Sequence, residues 1–243
     1  MVSWRSVAPL GAVVSLVFFF SATAEAQLAH RLAEPRVPRE GFTLDLHVGT
    51  AFPLAVGAGL RLRTPGRFLV DVWAGGVPDG YAGIASDIAS SYGAGSEATT
   101  LLRAVSTGAA LVRLGIGVQP IENAGLELCA GYTLFYAAPT LTRQTVEEAT
   151  GQSFAPAGDT IGFELAVHAV HVEVGYALEL FDHLVLRAGI GLSVAVGASA
   201  HLDVPEAMRA VTPIVGRIES DIASTIPGRA IVPELRLLAG GRF

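Results

Sequence analysis

The sequence predicts an all-β protein: an eight-stranded antiparallel up-and-down barrel that crosses a membrane, with short helices in the loops at one end. Three observations carry that prediction. Segment after segment alternates apolar and polar residues with a period of two, as strands do when their faces meet different surroundings. The chain is 51% hydrophobic with 28 glycines among its 243 residues, and its mean hydropathy is +0.51. Beyond the N-terminal segment, however, charges, Gly or Pro interrupt every apolar run. Since only helices and closed barrels satisfy their backbone groups in lipid, an oily chain without spanning helices points to a barrel. The connections between strands also alternate in length, which is the asymmetry of membrane barrels.

The strands follow in order. Phe42, Leu44, Leu46 and Val48 alternate with Thr43, Asp45, His47 and Gly49. A second strand, about 55–63, sets Leu60 and Leu62 against Arg61 and Arg63, and Thr64-Pro65-Gly66-Arg67 has the composition of a tight turn. The third places Phe68, Val70 and Val72 opposite Leu69, Asp71 and Trp73. Residues 77–106 break the alternation with Gly, Ser and Ala and suggest a short helix near 97–105. Strand four (about 109–118) sets Val112, Leu114, Ile116 and Val118 against Arg113, Gly115 and Gly117. After the turn around 119–125, strand five sets Leu126, Leu128, Tyr132, Leu134 and Tyr136 against Glu127, Cys129, Gly131 and Thr133.

A polar loop at 139–160 leads to strand six, about 161–179. There the apolar parity runs Phe163, Leu165, Val167 and then shifts to Val170, Val172, Val174. One extra residue near Ala169 explains the shift, so a β-bulge is expected there. A short turn at 180–183 precedes strand seven, where Leu184, Leu186, Ala188, Ile190, Leu192 and Val194 alternate with Val185, Arg187, Gly189, Gly191 and Ser193. After an excursion over 199–228, strand eight places Ile231, Pro233, Leu235, Leu237, Ala239, Gly241 and Phe243 on an uncharged face. The opposite face holds Glu234, Arg236 and Arg242. Aromatics mark two rims: Phe42, Phe68, Tyr176 and Phe243 at the short-turn end, and Phe52, Tyr136 and Phe163 at the other.

The N-terminus reads as an export signal over 1–26, with Arg5 as the positive region, Leu10 to Phe20 as the apolar core and Ala24-Glu25-Ala26 as the cleavage site. The apolar run falls short of the ~20 residues of a spanning helix. Residues 27–40 are a polar lead-in, and 41–243 the barrel. A single cysteine, Cys129, excludes an internal disulfide. A formal charge of -6 and the lack of any basic run argue against nucleic acid.

The strand count, the alternation of turns and loops, and Phe243 closing the last strand make 41–243 resemble the small eight-stranded outer-membrane barrels of Gram-negative bacteria, the class of the OmpA membrane domain and OmpX. The resemblance implies an outer-membrane location, contact with outer-membrane lipid, and recognition of the C-terminal strand, with Phe243 as the signal, by the barrel assembly machinery. It leaves function open, because members serve as structural proteins, adhesion or defence proteins, narrow pores and lipid-modifying enzymes. A soluble lipocalin-like binder has the same periodicity with its faces exchanged.

The polar parity gathers Asp45, His47, Arg61, Arg63, Asp71, Arg113, Glu127, Glu164, Glu173, Arg187, Glu234 and Arg236. In a lumen that side chains fill, such charges must pair, which predicts a salt-bridge plug. A gated pore is the alternative, with pairs such as Arg113 and Glu127 exchanging partners. His168 and His171 face opposite ways on a regular strand and do not suggest a metal site. Ser199, His201 and Asp203 are a nucleophile, base and acid at the outer end of strand seven, yet alternate residues of one strand do not form a relay in sequence order. No catalytic residue, metal or cofactor is therefore expected. Over 205–226, Met208, Val211, Val215, Ile218 and Ile222 trace one stripe of an amphipathic helix, a candidate surface for a partner. The expected role is structural or interactive rather than enzymatic.

Overall fold

In the computed structural model the residues described are 41–81, 83–84, 87, 108–121, 125–142, 160–180, 183–203, 216, 219–220, 223–224, 226–227 and 230–243. The expected export signal and lead-in, the helix near 97–105 and the apolar stripe of 205–226 lie outside them. The strands are β1 (Thr43–Phe52), β2 (Ala55–Arg63), β3 (Phe68–Gly76), β4 (Ala110–Val118), β5 (Leu126–Ala137), β6 (Thr140–Thr142), β7 (Thr160–Leu180), β8 (Leu184–Asp203) and β9 (Ile231–Arg242). Each pairs antiparallel with its neighbours, β9 returns to β1 and β5 pairs with β7, so eight strands close a barrel. The ninth strand, β6, continues β5 past Ala138 and Pro139 and stays in register on β7.

Closure is completed at the short-turn end, where the Phe243 N–H donates to Leu44 O at 2.9 Å and Leu44 N–H returns a bond to Phe243 O at 3.1 Å. The β2–β3 turn has Arg67 in the left-handed region at φ 69, and the Thr64 N–H bonds Phe68 O at 2.9 Å.

The parity of the sequence becomes an inverted barrel. Leu46, Leu60, Val70, Leu114, Ile116, Val172, Ile190 and Leu237 point outward and are exposed, while Asp45, Arg61, Asp71, Arg113 and Glu127 are buried within. A soluble barrel has the opposite arrangement, so the lipocalin-like alternative does not describe this chain. The outward face also sets a test. Leu114→Arg, at mid-strand, is expected to destabilise the vesicle-inserted barrel by about 2–4 kcal/mol, the cost of a cation at the bilayer midplane. Denaturant titration in vesicles reads it.

Among the described residues one bulge interrupts the ladders, at the expected place beside Ala169, but the extra residue belongs to β8 and not to β7. The β5–β7 register runs unbroken through Ala169, so β7 carries no extra residue. The shift lies in β8, where His168 pairs with Gly197 and Ala169 with Ala195, leaving Val196 as the inserted residue. Phe163 and Leu165 therefore keep the inward parity of β7 and are buried, which removes Phe163 from the outer aromatic rim. Phe42, Phe68, Phe243 and Tyr136 are exposed as the rims require. Beyond the bulge, β7 and β8 rise past the ends of β1–β4, with β6 beside them.

Candidate functional site

Among the described residues, the lumen is where the fold concentrates chemistry. Period two places lumen side chains at alternate positions, and register sets them opposite one another. Arg61 stands between Asp45 on β1 and Asp71 on β3 and pairs with Asp71, so the first ion pair joins cross-strand neighbours. Arg61 Nε donates to Asp71 Oδ1 at 2.8 Å, and its Nη1 bonds Glu127.

Of the remaining contacts, those of Asp45 with Arg242 and Arg63 and of Ser193 with Glu234 also join neighbouring strands, and the others reach across the lumen. Asp45 accepts from Arg242 Nε at 2.6 Å and from Arg63 Nε and Arg187 Nη2, each at 3.2 Å. Glu127 accepts from Arg63 Nη2 at 2.6 Å and from Arg187 Nε at 2.9 Å, in addition to Arg61. Arg236 donates to Asp71 at 2.9 Å and to Glu173 at 3.2 Å. Arg113 bonds Glu234 and lies 3.6 Å from Glu173. Ser193 donates to Glu234, and Arg242 also holds Glu179. Six guanidinium groups (61, 63, 113, 187, 236 and 242) thus meet six carboxylates (45, 71, 127, 173, 179 and 234), so the cluster is formally neutral. Every barrel strand contributes a member. Isolated charges could not stay ionised in such a confined space, whereas shared bidentate pairs can.

Toward the long-loop end the lumen turns apolar. Trp73, Leu111 and Leu238 pack with Ala51 and Ala55, flanked by Leu54 and Phe135. The Arg236 guanidinium lies 6.0 Å from the Trp73 ring centroid and joins the two tiers as a cation–π contact. The lumen is therefore filled twice over, by ions and by hydrocarbon.

The placement of the expected residues follows. Asp45, Arg61, Arg63, Asp71, Arg113, Glu127, Glu173, Arg187, Glu234 and Arg236 are all buried in the lumen, with His47 beside them. Glu164 is not. It lies on the exposed outward face of β7, paired in register with His201, because the bulge that would have turned it inward sits on β8 instead. Arg113 pairs with Glu234 and Glu173, not with Glu127, the partner named for the gated-pore alternative. Arg242 and Glu179 join the cluster beyond the expected set. Both carry the right parity, but they sit at strand ends, where alternation gives no sign of what a side chain reaches.

His171 is buried with Nδ1 2.9 Å from Thr133 Oγ1, whereas His168 faces outward against Tyr132. The two histidines do not converge, and among the described residues no cluster of His, Cys, Asp and Glu could hold a metal. Ser199, His201 and Asp203 share the exposed outer face of β8 beyond the bulge. Among the described residues no hydrogen bond or ion pair links them, and His201 Nδ1 instead lies 3.3 Å from Glu219. Phe243 is exposed at the end of the closing strand.

No protein-family model matches the sequence, and no curated protein matches it. Among solved structures, the chain is similar to CarO of Acinetobacter baumannii at 11% identity and TM-score 0.37, covering 86% of this chain and 100% of that one. It is also similar to a major outer membrane protein from Thermus thermophilus at 14% identity and TM-score 0.41, covering 83% and 98%.

Proposed function

We propose that the protein is a sealed outer-membrane barrel with a structural or surface-interaction role, and that it neither conducts ions nor catalyses a reaction. The observation that carries this reading is the lumen itself. A neutral lattice of arginine and carboxylate spans it from β2 to β5 and β8 and from β4 to β9, and an apolar tier closes the end above. The outward apolar face suits hydrocarbon, and the aromatic rims suit its two interfaces. In this reading the N-terminus and the short turns face the periplasm, Phe243 addresses the assembly machinery, and the β7–β8 wall and the 205–226 segment meet partners outside the cell.

Planar-bilayer recording tests the choice between a structural protein and a pore. The purified barrel is expected to give no discrete conductance steps, because any ion path requires several buried pairs to separate together. Stable unitary openings that change in Arg113→Gln would establish the gated pore instead. The non-enzymatic part is checked by lipid A profiles of cells with and without the protein. They are expected to coincide, and a difference abolished by Ser199→Ala would contradict it.

A further inference from the structure

The outward face changes character along β7. From the short-turn end it reads Tyr176, Val174, Val172 and Val170, then His168, Ala166 and Glu164. The three valines are exposed. One register row above His168, β8 turns polar as well, with Ser199 opposite Ala166. At roughly 3.3 Å per residue and a strand tilt of about 40°, His168 stands roughly 20 Å above Tyr176, against an apolar band about 25 Å tall. It therefore lies near the far edge of the hydrocarbon, within reach of the headgroups.

His168 has one protein partner. Tyr132 on β5 is opposite Val170 in register, and His168 is opposite Leu134. Tyr132 and His168 are thus diagonal neighbours, and Tyr132 Oη shares a hydrogen bond with His168 Nδ1. A phenol is the stronger acid and an imidazole nitrogen the stronger base, so the phenol donates and Nδ1 accepts. The hydrogen of the neutral ring is then on Nε2. Among the described residues neither side chain makes another hydrogen bond. A donor facing hydrocarbon without an acceptor is costly, and the valines below it offer none. Its acceptor comes from the lipid side, and at this depth an anionic phosphate oxygen makes the strongest bond.

We propose that His168 Nε2–H, oriented by Tyr132, donates to a lipid phosphate oxygen in the leaflet at the long-loop end. The proposal rests on the outer-membrane reading above. It gives the β5–β7 side of the barrel a fixed headgroup contact at the foot of the β7–β8 wall.

Solid-state NMR tests it. The full chain, labelled with [15N]histidine and [13C]valine, is inserted into vesicles of phosphatidylcholine and phosphatidylglycerol in phosphate-free buffer, and 15N–31P dipolar dephasing is measured. The His168 signals are identified by their loss in His168→Gln. The hydrogen-bearing His168 nitrogen is expected to dephase as a spin about 4 Å from phosphorus, the span of one N–H···O bond and one P–O bond. The dephasing should weaken in Tyr132→Phe, which frees the ring to turn. No dephasing at His168 overturns the proposal, as does dephasing left unchanged by Tyr132→Phe. In maltoside micelles with added inorganic phosphate no dephasing is expected, and its appearance there would make the contact one for free phosphate and overturn the lipid assignment. The valine signals separate the two readings. Acyl-proton contacts at the outward valines of β7 with a silent His168 sink the headgroup contact alone, whereas loss of those valine contacts refutes the membrane reading itself.

Discussion

Glu127→Gln is expected to lower the stability of the folded barrel by about 3–5 kcal/mol, the cost of breaking a buried ion pair from one side. Glu127 is the junction of the inner tier, receiving Arg61, Arg63 and Arg187. Glutamine keeps the shape but not the charge, so three guanidinium groups must share the carboxylates that remain. Arg61 keeps Asp71, and Arg63 and Arg187 keep Asp45, but these carboxylates also serve Arg236 and Arg242, so one positive charge stays uncompensated. Urea titration in lipid vesicles, with the gel mobility of the folded form as readout, measures the change. A double-mutant cycle with Arg187→Gln should recover part of the loss, because removing one of the stranded cations relieves the imbalance. Full additivity of the two substitutions would mean that the pair does not communicate.

The second large effect concerns the apolar tier. Trp73 is fully buried among Leu111, Leu238, Ala51 and Ala55, and Trp73→Ala is expected to cost about 3–5 kcal/mol by removing packed volume. The same substitution removes the ring beneath the Arg236 guanidinium. Bilayer recordings of this variant should nevertheless stay silent, because the ionic tier still closes the lumen. A variant that is destabilised and also conducts would place the seal in the tryptophan layer alone.

The period-two alternation makes most of this barrel legible. Apolar parity identifies the outward face of β1 to β5, and polar parity places Asp45, Arg61, Asp71, Arg113 and Arg236 in the lumen without knowledge of any contact. Ion-pair partners are not legible in the same way. Arg113 meets Glu234 because β9 closes against β1 and brings its charges across the lumen, and periodicity carries no information about such long-range closure. The bulge illustrates a second limit. The parity break between Val167 and Val170 is plain in β7, yet β7 carries no extra residue, and the insertion lies instead in Ala195-Val196-Gly197-Ala198 of β8, where the sequence shows no break. Phe163 and Leu165 are apolar and yet inward because the lumen above the rim is itself apolar. Their apolar character makes the intervening Glu164 read as a lumen residue when it faces out. Pro139 conceals β6, since a proline ends the apparent strand while the pairing resumes one residue later.

The most direct measurement is heat-modifiable migration of the protein recovered from the outer-membrane fraction of cells that express it. A sealed barrel with an ion-paired lumen should resist detergent unheated, run as a compact band, and shift on boiling. Recovery in the soluble periplasmic fraction without a shift would contradict the membrane barrel, and with it the surface role.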